Sequence, residues 1–389
     1  MVYLHVPFCR SFCTYCSFYS ETCSKSRQDT LFSEYAGAVV RETEERSEEI
    51  RNNPFRTIYI GGGTPSVLPL DVLSRIVSGI RNAQDGEPLR EFTIEVNPED
   101  IVEKGEEYVA GLLSLGVSRI SMGIQSFDDG ILRWMNRRHD SERAVRAYSI
   151  IRRTAQEARK DVDVSIDLIF GLSQLDESTW DRTLTSALAL GRDEGFRAPD
   201  HISAYQLSIE EGSALEEMAA RGDYSEASED VCARQYSVLC SRLKEAGYGH
   251  YEVSNFALPG HEAVHNSAYW TRIPYVGLGP GAHSLTVLQT AEGRREIRSW
   301  NTQVLPGRGM EAYTREVEEL SPEDVRIERI MLALRTAAGI GESDLRSLAG
   351  EGNVDSFLKD GLLERKGNGC LRIPESHFFV SDEIIRELV

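Results

Sequence analysis

The chain has 389 residues, 41% hydrophobic and 27% charged, the proportions of a folded globular protein. It is too long for one small core, so a large domain and a smaller one are expected. Its 62 acidic against 43 basic side chains leave a formal charge of −19, which repels phosphate backbones and anionic lipid and disfavours nucleic acid and membrane surfaces as general partners. The first residues form no cationic, apolar leader and no run is apolar enough for membrane insertion. Thiols scattered at Cys23, Cys232, Cys240 and Cys370 suit a reducing compartment. A cytoplasmic protein is expected.

Short β-rich runs alternate with stretches whose apolar residues fall three and four apart. Strands are expected over residues 2–6, 57–60, 92–96, 119–124, 162–170 and 201–207. Helices are expected over 31–49, 70–82, 105–115, 141–158 and 177–190. This alternation implies parallel strands joined by right-handed crossovers. Six strands fit an α/β fold of the partial (β/α)6 kind, a TIM-like barrel that does not close. Residues 247–257 and 269–285, rich in Gly, Tyr, Asn and His, have the composition of loops covering a site. The barrel and these loops are expected to occupy residues 1–290, and 291–309, polar with Gly and Pro at its end, a linker. Residues 310–389 carry helices over 322–338, 342–348 and 354–360, then a hairpin over 361–373 turning at 366–369, the order of a winged-helix-like domain. Its second helix carries little positive charge, so a protein-contact or structural role is expected in place of DNA binding.

The first strand runs into His5-Val-Pro-Phe-Cys9-Arg-Ser-Phe-Cys13-Thr-Tyr-Cys16-Ser-Phe18. Three thiolates in eight residues can hold three corners of a 4Fe–4S cube and leave the fourth iron open to a small molecule. Zinc is the alternative, but a structural zinc site wants four protein ligands, usually as two pairs, and the nearest spare thiol, Cys23, lies seven residues on. Further features fall at the C-terminal ends of strands, the catalytic rim of barrels: Gly61-Gly-Gly-Thr-Pro65, Asn97-Pro98, Gln125 and Gly171. The glycines allow close approach of backbone to a ligand. Glu95 and Asp167 sit inside apolar strands, where a carboxylate needs a partner. Arg137 could contact a carboxylate, although by itself it reads better as a solvated helix end.

The C-x3-C-x2-C run with an aromatic before the last cysteine resembles the signature of radical S-adenosylmethionine (radical SAM) proteins. The whole core is similar to the branch containing oxygen-independent coproporphyrinogen III oxidase and the HemW-type heme chaperones. The likeness is carried by Tyr3–Cys9, Gly61–Ser66, Arg119–Phe127, Asp167–Leu172, Tyr251–Ala257, His265-Asn-Ser-Ala-Tyr-Trp270 and Gly277–Ser284. It implies a 4Fe–4S cluster on Cys9, Cys13 and Cys16 and S-adenosylmethionine contacts at Tyr3, Tyr15, Gly62, Gly63, Thr64, Glu95, Gln125, Arg137 and Asp167. His5 supports the cluster loop. The oxidases carry a fourth cysteine two residues past the last cluster ligand, where this chain has Phe18; the H-N-x-x-Y-W motif belongs to the chaperones, which associate its histidine, here His265, with heme. His283 competes for that role. One departure is Ser173, where the family usually has proline after Gly-Leu. The resemblance thus implies heme or another tetrapyrrole as ligand, client hemoproteins and an electron donor as partners, and allows a homodimer. The alternative is the oxidase reaction of porphyrin biosynthesis.

Overall fold

The computed structural model describes residues 1–22, 26–291, 293–304 and 308–389. Six parallel strands stand side by side in chain order: β1 (Val2–Val6), β2 (Thr57–Gly62), β3 (Glu91–Val96), β4 (Arg119–Gln125), β5 (Asp163–Phe170) and β6 (His201–Gln206). Their sequences alternate with period two. Leu4, Ile58, Ile94, Met122, Ile166 and Ile202 are fully buried against the outer helices. The residues between them, Tyr59, Thr93, Ser121, Ser165, Asp167 and Ser203 among others, line the lumen. Branched aliphatic side chains fill the interior of a closed barrel; hydroxyls and carboxylates line this one. The helices carry the apolar faces that cover the sheet, each buried aliphatic contributing roughly 1.5–3 kcal/mol.

Among the helices expected in the barrel, bounds depart by more than one residue at two places, each with a local cause. The first helix breaks at Arg46 into Gln28–Glu45 and Ser47–Asn52. Pro98 starts the third crossover helix, Pro98–Ser114, seven residues early, with Gly105 (φ 67°) as an internal kink that only glycine takes at little cost.

The stretches expected as covering loops contain regular structure. Val276–Leu278 extends the sheet parallel to β1, while Asn255–Ala257 and Gly249–Glu252 form an antiparallel hairpin beside β6. Among the described residues the two edges do not pair, so the barrel stays open. The expected linker is also corrected. Gly293–Asn301 is the middle strand of a three-stranded sheet with His283–Thr290 and Arg315–Glu319. Its charges are satisfied across the sheet, as between Arg295 and Glu319, so polar composition concealed it. The last of these strands also carries the first domain's sheet past residue 310. Residues 292 and 305–307 of that stretch, like Cys23, lie outside the described residues.

The C-terminal part packs helices Pro322–Leu334, Glu342–Ala349, Glu351–Lys359 and Ser381–Leu388 with a small sheet of Ile340–Gly341, Cys370–Arg372 and Glu364–Arg365. The hairpin closes where Lys366 N–H donates to Cys370 O at 2.9 Å. No helix among the described residues is long and apolar enough to cross a membrane.

Candidate functional site

A cavity of about 590 Å³ opens at the C-terminal ends of the strands and runs down the lumen. Its far end is closed by ion pairs, Arg119 with Glu91 (2.9 Å) and Asp163 (2.8 Å). The helix Val264–Trp270 lies across that end, its first two N–H groups donating to the Glu91 carboxylate at 2.9 Å each.

Cys9, Cys13 and Cys16 all line the open mouth and are free thiols. Cys9 follows β1 directly. The glycine turn after β2 is strapped to the same loop: Gly63 N–H donates to Val6 O and Thr64 N–H to Phe8 O, both at 2.8 Å. A Cβ on Gly63 would sit 2.8 Å from Phe8 O and 3.1 Å from Cys9 Sγ, and one on Gly62 (φ 109°) 2.7 Å from the His5 ring. The triple glycine therefore answers to close packing against the cysteine loop. His5 supports it from behind, with its ring nitrogens 3.0 Å from Tyr3 Oη and 2.9 Å from Tyr19 O.

Burial raises the Cys9 thiol and pushes Cys16 up to about 11, each further opposed by the neighbouring cysteines. Cys9 and Cys16, held towards the neutral thiol, need a compensating cation to ionise, which an iron–sulfur cluster provides. The donor set fits such a cluster. Arg137 lies behind it, with Nη1 3.4 Å from Cys13 Sγ and Nη2 donating to Asn97 Oδ1 and Gly123 O at 2.7 Å each. Asn97 Nδ2 in turn donates to Thr64 Oγ1 at 3.2 Å, and Thr64 Oγ1 is 3.4 Å from Cys9 Sγ.

Deeper in the lumen, Glu95 accepts from Tyr59 Oη (2.6 Å) and Gly62 N–H (3.2 Å), and burial pushes its carboxyl up to about 7. Asp167 faces it beside Ser121 and is pushed up to about 6, again by burial. Gln125 has φ 69° at a register shift in β4. His139 steadies that irregularity, its Nε2 3.1 Å from Ile124 O and its Nδ1 3.3 Å from Glu99. Gln125 Oε1, Arg137 Nε and Thr93 Oγ1 are buried without a partner. Orphaned donors and acceptors around one cavity suit a polar ligand with both amino and carboxylate groups, so the residues present fit S-adenosylmethionine.

Of the residues singled out in the sequence, Tyr15, Gly62, Gly63, Thr64, Glu95, Gln125, Arg137 and Asp167 line this cavity with the cysteines. Tyr3 stands behind it, bonded to His5. His265 does not join them. It is fully buried, with Nδ1 2.9 Å from Thr57 Oγ1 and Nε2 3.0 Å from Tyr269 Oη, at the start of β2, the end of the strand away from the cysteines. Burial lowers its basicity to about 3. Both nitrogens are taken, so in this structure the side chain braces a helix and presents no lone pair to iron. The reading of the sequence missed Tyr59 and the bridging role of Asn97. The signal for Asn97 was its place at a strand end, directly before the proline that starts a helix.

The radical SAM superfamily model matches residues 3–187. The protein named heme chaperone HemW from Synechocystis is 33% identical, spanning 89% of this chain and 80% of that one. Its namesake from Mycobacterium tuberculosis is 30% identical over 100% of this chain and 94% of its own. The chain belongs to the HemW family of radical SAM proteins. Another relative is the mitochondrial radical S-adenosyl methionine domain-containing protein 1 of Danio rerio, 30% identical over 92% of this chain and 77% of that one. Among solved structures, coproporphyrinogen III oxidase (HemN) from Escherichia coli superposes with a TM-score of 0.76 at 19% identity, covering 100% of this chain and 89% of that one. That match establishes the α/β radical SAM fold, as expected. Membership of the superfamily implies a 4Fe–4S cluster and S-adenosylmethionine, which the cavity fits. Phe18, in the position where a fourth cysteine would mark an oxidase, is 70% exposed on the rim.

Proposed function

We propose that this chain is a cytoplasmic heme chaperone that binds heme and transfers it to client hemoproteins, with the cluster and S-adenosylmethionine held in the barrel. In this reading Cys9, Cys13 and Cys16 ligate the cluster. Tyr3, Tyr15, Gly62, Gly63, Thr64, Glu95, Gln125, Arg137 and Asp167 form the S-adenosylmethionine site, directly or through the residues they hold. When bound, cluster and cofactor supply one-electron reduction of the sulfonium, for which an electron donor is a required partner. Arg137 and the glycine turn fix the cysteine loop, and Glu95 and Asp167 offer carboxylates to amino or hydroxyl groups. The observation that carries this reading is likeness to HemW relatives over nearly the whole chain, joined to an exposed Phe18 where the oxidases have cysteine.

The test is anaerobic reconstitution of the full chain with iron and sulfide, followed by two parallel assays. Heme uptake, and its transfer to an apo-hemoprotein, are expected. Conversion of coproporphyrinogen III to protoporphyrinogen with reductant and S-adenosylmethionine is not expected, and its appearance would overturn the proposal in favour of the oxidase.

A further inference from the structure

Radical chemistry is supplied by a cofactor, and the protein decides which bonds lie within its reach. Around Glu95 the lumen offers carboxylates, Glu95 and Asp167, and the aliphatic hydroxyls of Thr93, Ser121, Ser165 and Ser203. Carboxylates have no O–H bond to give and aliphatic O–H bonds are strong. A phenol differs, because its ring spreads an unpaired electron and so weakens the O–H bond. Tyr59 places a phenol in this lumen.

Tyr59 stands on β2 between Tyr3 of β1 and Thr93 of β3. Its Oη donates to Glu95 Oε1 at 2.6 Å, while Gly62 N–H holds the other carboxylate oxygen at 3.2 Å. The glycine turn makes room for the pair: a Cβ on Gly61 would lie 2.7 Å from the Tyr59 ring and 2.8 Å from Glu95 Oε1. Glu95 belongs to the proposed S-adenosylmethionine site, so the phenol oxygen is fixed at the edge of that site. Behind Tyr59 lies a run of aromatic rings. His265 is 5.1 Å away, Tyr269 a further 5.2 Å and Tyr275 a further 4.7 Å, centroid to centroid. Two other tyrosines line the cavity, but Tyr15 stands against Cys13 and Tyr205, 43% exposed, is near the end of β6.

We propose that Tyr59 is a redox-active side chain that donates a hydrogen atom to a carbon radical formed in the cavity. This rests on the S-adenosylmethionine part of the reading above and deepens it, since a chaperone that moves heme intact offers such a radical no substrate bond. One electron from the donor partner cleaves a C–S bond of the sulfonium to give methionine and a primary carbon radical. The Tyr59 O–H bond then breaks homolytically, a C–H bond forms, and 5′-deoxyadenosine departs with the unpaired electron left on the Tyr59 ring. A second electron from the same donor and a proton from water restore the phenol.

The test is incubation of the full, cluster-loaded chain with S-adenosylmethionine and titanous citrate in deuterium oxide. A phenolic hydrogen exchanges with solvent and a C–H hydrogen does not, so the 5′-deoxyadenosine is expected to carry a single deuterium by mass spectrometry. Frozen samples are expected to show a tyrosyl radical by electron paramagnetic resonance, narrowed when the protein contains ring-deuterated tyrosine. Tyr59→Phe keeps the ring and its packing and is expected to lose both the label and the signal, with iron and sulfide content unchanged. Tyr205→Phe is expected to keep both. A labelled product from Tyr59→Phe overturns the proposal, as does an unlabelled product, or no 5′-deoxyadenosine at all, from the unmodified protein. Heme uptake and transfer by the same preparation test the chaperone reading separately, so the two failures are told apart.

Discussion

Arg137 places Nη2 2.7 Å from Asn97 Oδ1 and Nη1 3.4 Å from the sulfur of Cys13. Because Asn97 also donates to Thr64, which touches Cys9, the two residues complete a polar chain between two cluster cysteines. Thr64 and Asn97 follow two different strands, and Arg137 follows the helix Asp129–Trp134. Replacing Asn97 with Ala breaks the chain at its middle and leaves a buried guanidinium short of an acceptor, a cost of about 1–3 kcal/mol. Denaturant unfolding of the anaerobic protein measures that loss. S-adenosylmethionine affinity, read from its perturbation of the reduced-cluster spectrum, is expected to fall as well.

Single Cys→Ser substitutions at positions 9, 13 and 16 are each expected to abolish the brown chromophore and reduce iron and labile sulfide to background, since three ligands are the minimum for the cube. Cys232, buried on a helix outside the site, provides the contrast: Cys232→Ser leaves the iron content at the unmodified level.

Gly63→Ala is expected to fail locally. The added methyl meets two backbone carbonyls, Phe8 O at 2.8 Å and Val6 O at 3.0 Å, as well as Cys9 Sγ, and neither carbonyl can step aside without breaking its bond to the turn. Overpacking of this kind costs roughly 1–3 kcal/mol. Cluster loading per chain, measured after reconstitution, is expected to drop more than thermal stability does.

Glu252, buried on the hairpin strand beside the C-terminal part, has Oε1 unpartnered, and burial pushes its carboxyl from 4.5 up to about 7. An acid whose pKa is higher when folded binds more protons in that state between the two values. Stability therefore falls as pH rises from 4.5 to about 7 and is level above it. Glu252→Gln removes this contribution, so the variant gains on the parent by on the order of 2–3 kcal/mol between pH 5 and pH 8. Urea midpoints at the two pH values check it; equal differences at both would refute it.

The sequence displays the barrel because its strands alternate: Leu4, Ile58, Ile94 and Ile166 face helices, while Tyr3, Tyr59, Glu95 and Asp167 do not. The cysteine spacing was equally legible, since adjacent residues need no fold to bring them together. Two kinds of information were hidden. Strand Gly293–Asn301 carries charges at four of its nine positions, and its pairing with a strand on either side makes a strand of it. His265 sits in a motif with two aromatics, yet whether such a ring faces a ligand or a threonine depends on where Thr57 lies, 208 positions away. Asn97 is the same case, because its partners are neighbours in space alone.

The straps from Gly63 and Thr64 to the carbonyls of Val6 and Phe8 have a dynamic corollary. The loop bearing the sulfurs and the turn meant to greet the cofactor share one set of amide bonds, so neither can fray independently. Deuterium uptake at these two amides should rise in step with iron release, marking a single opening event in place of two.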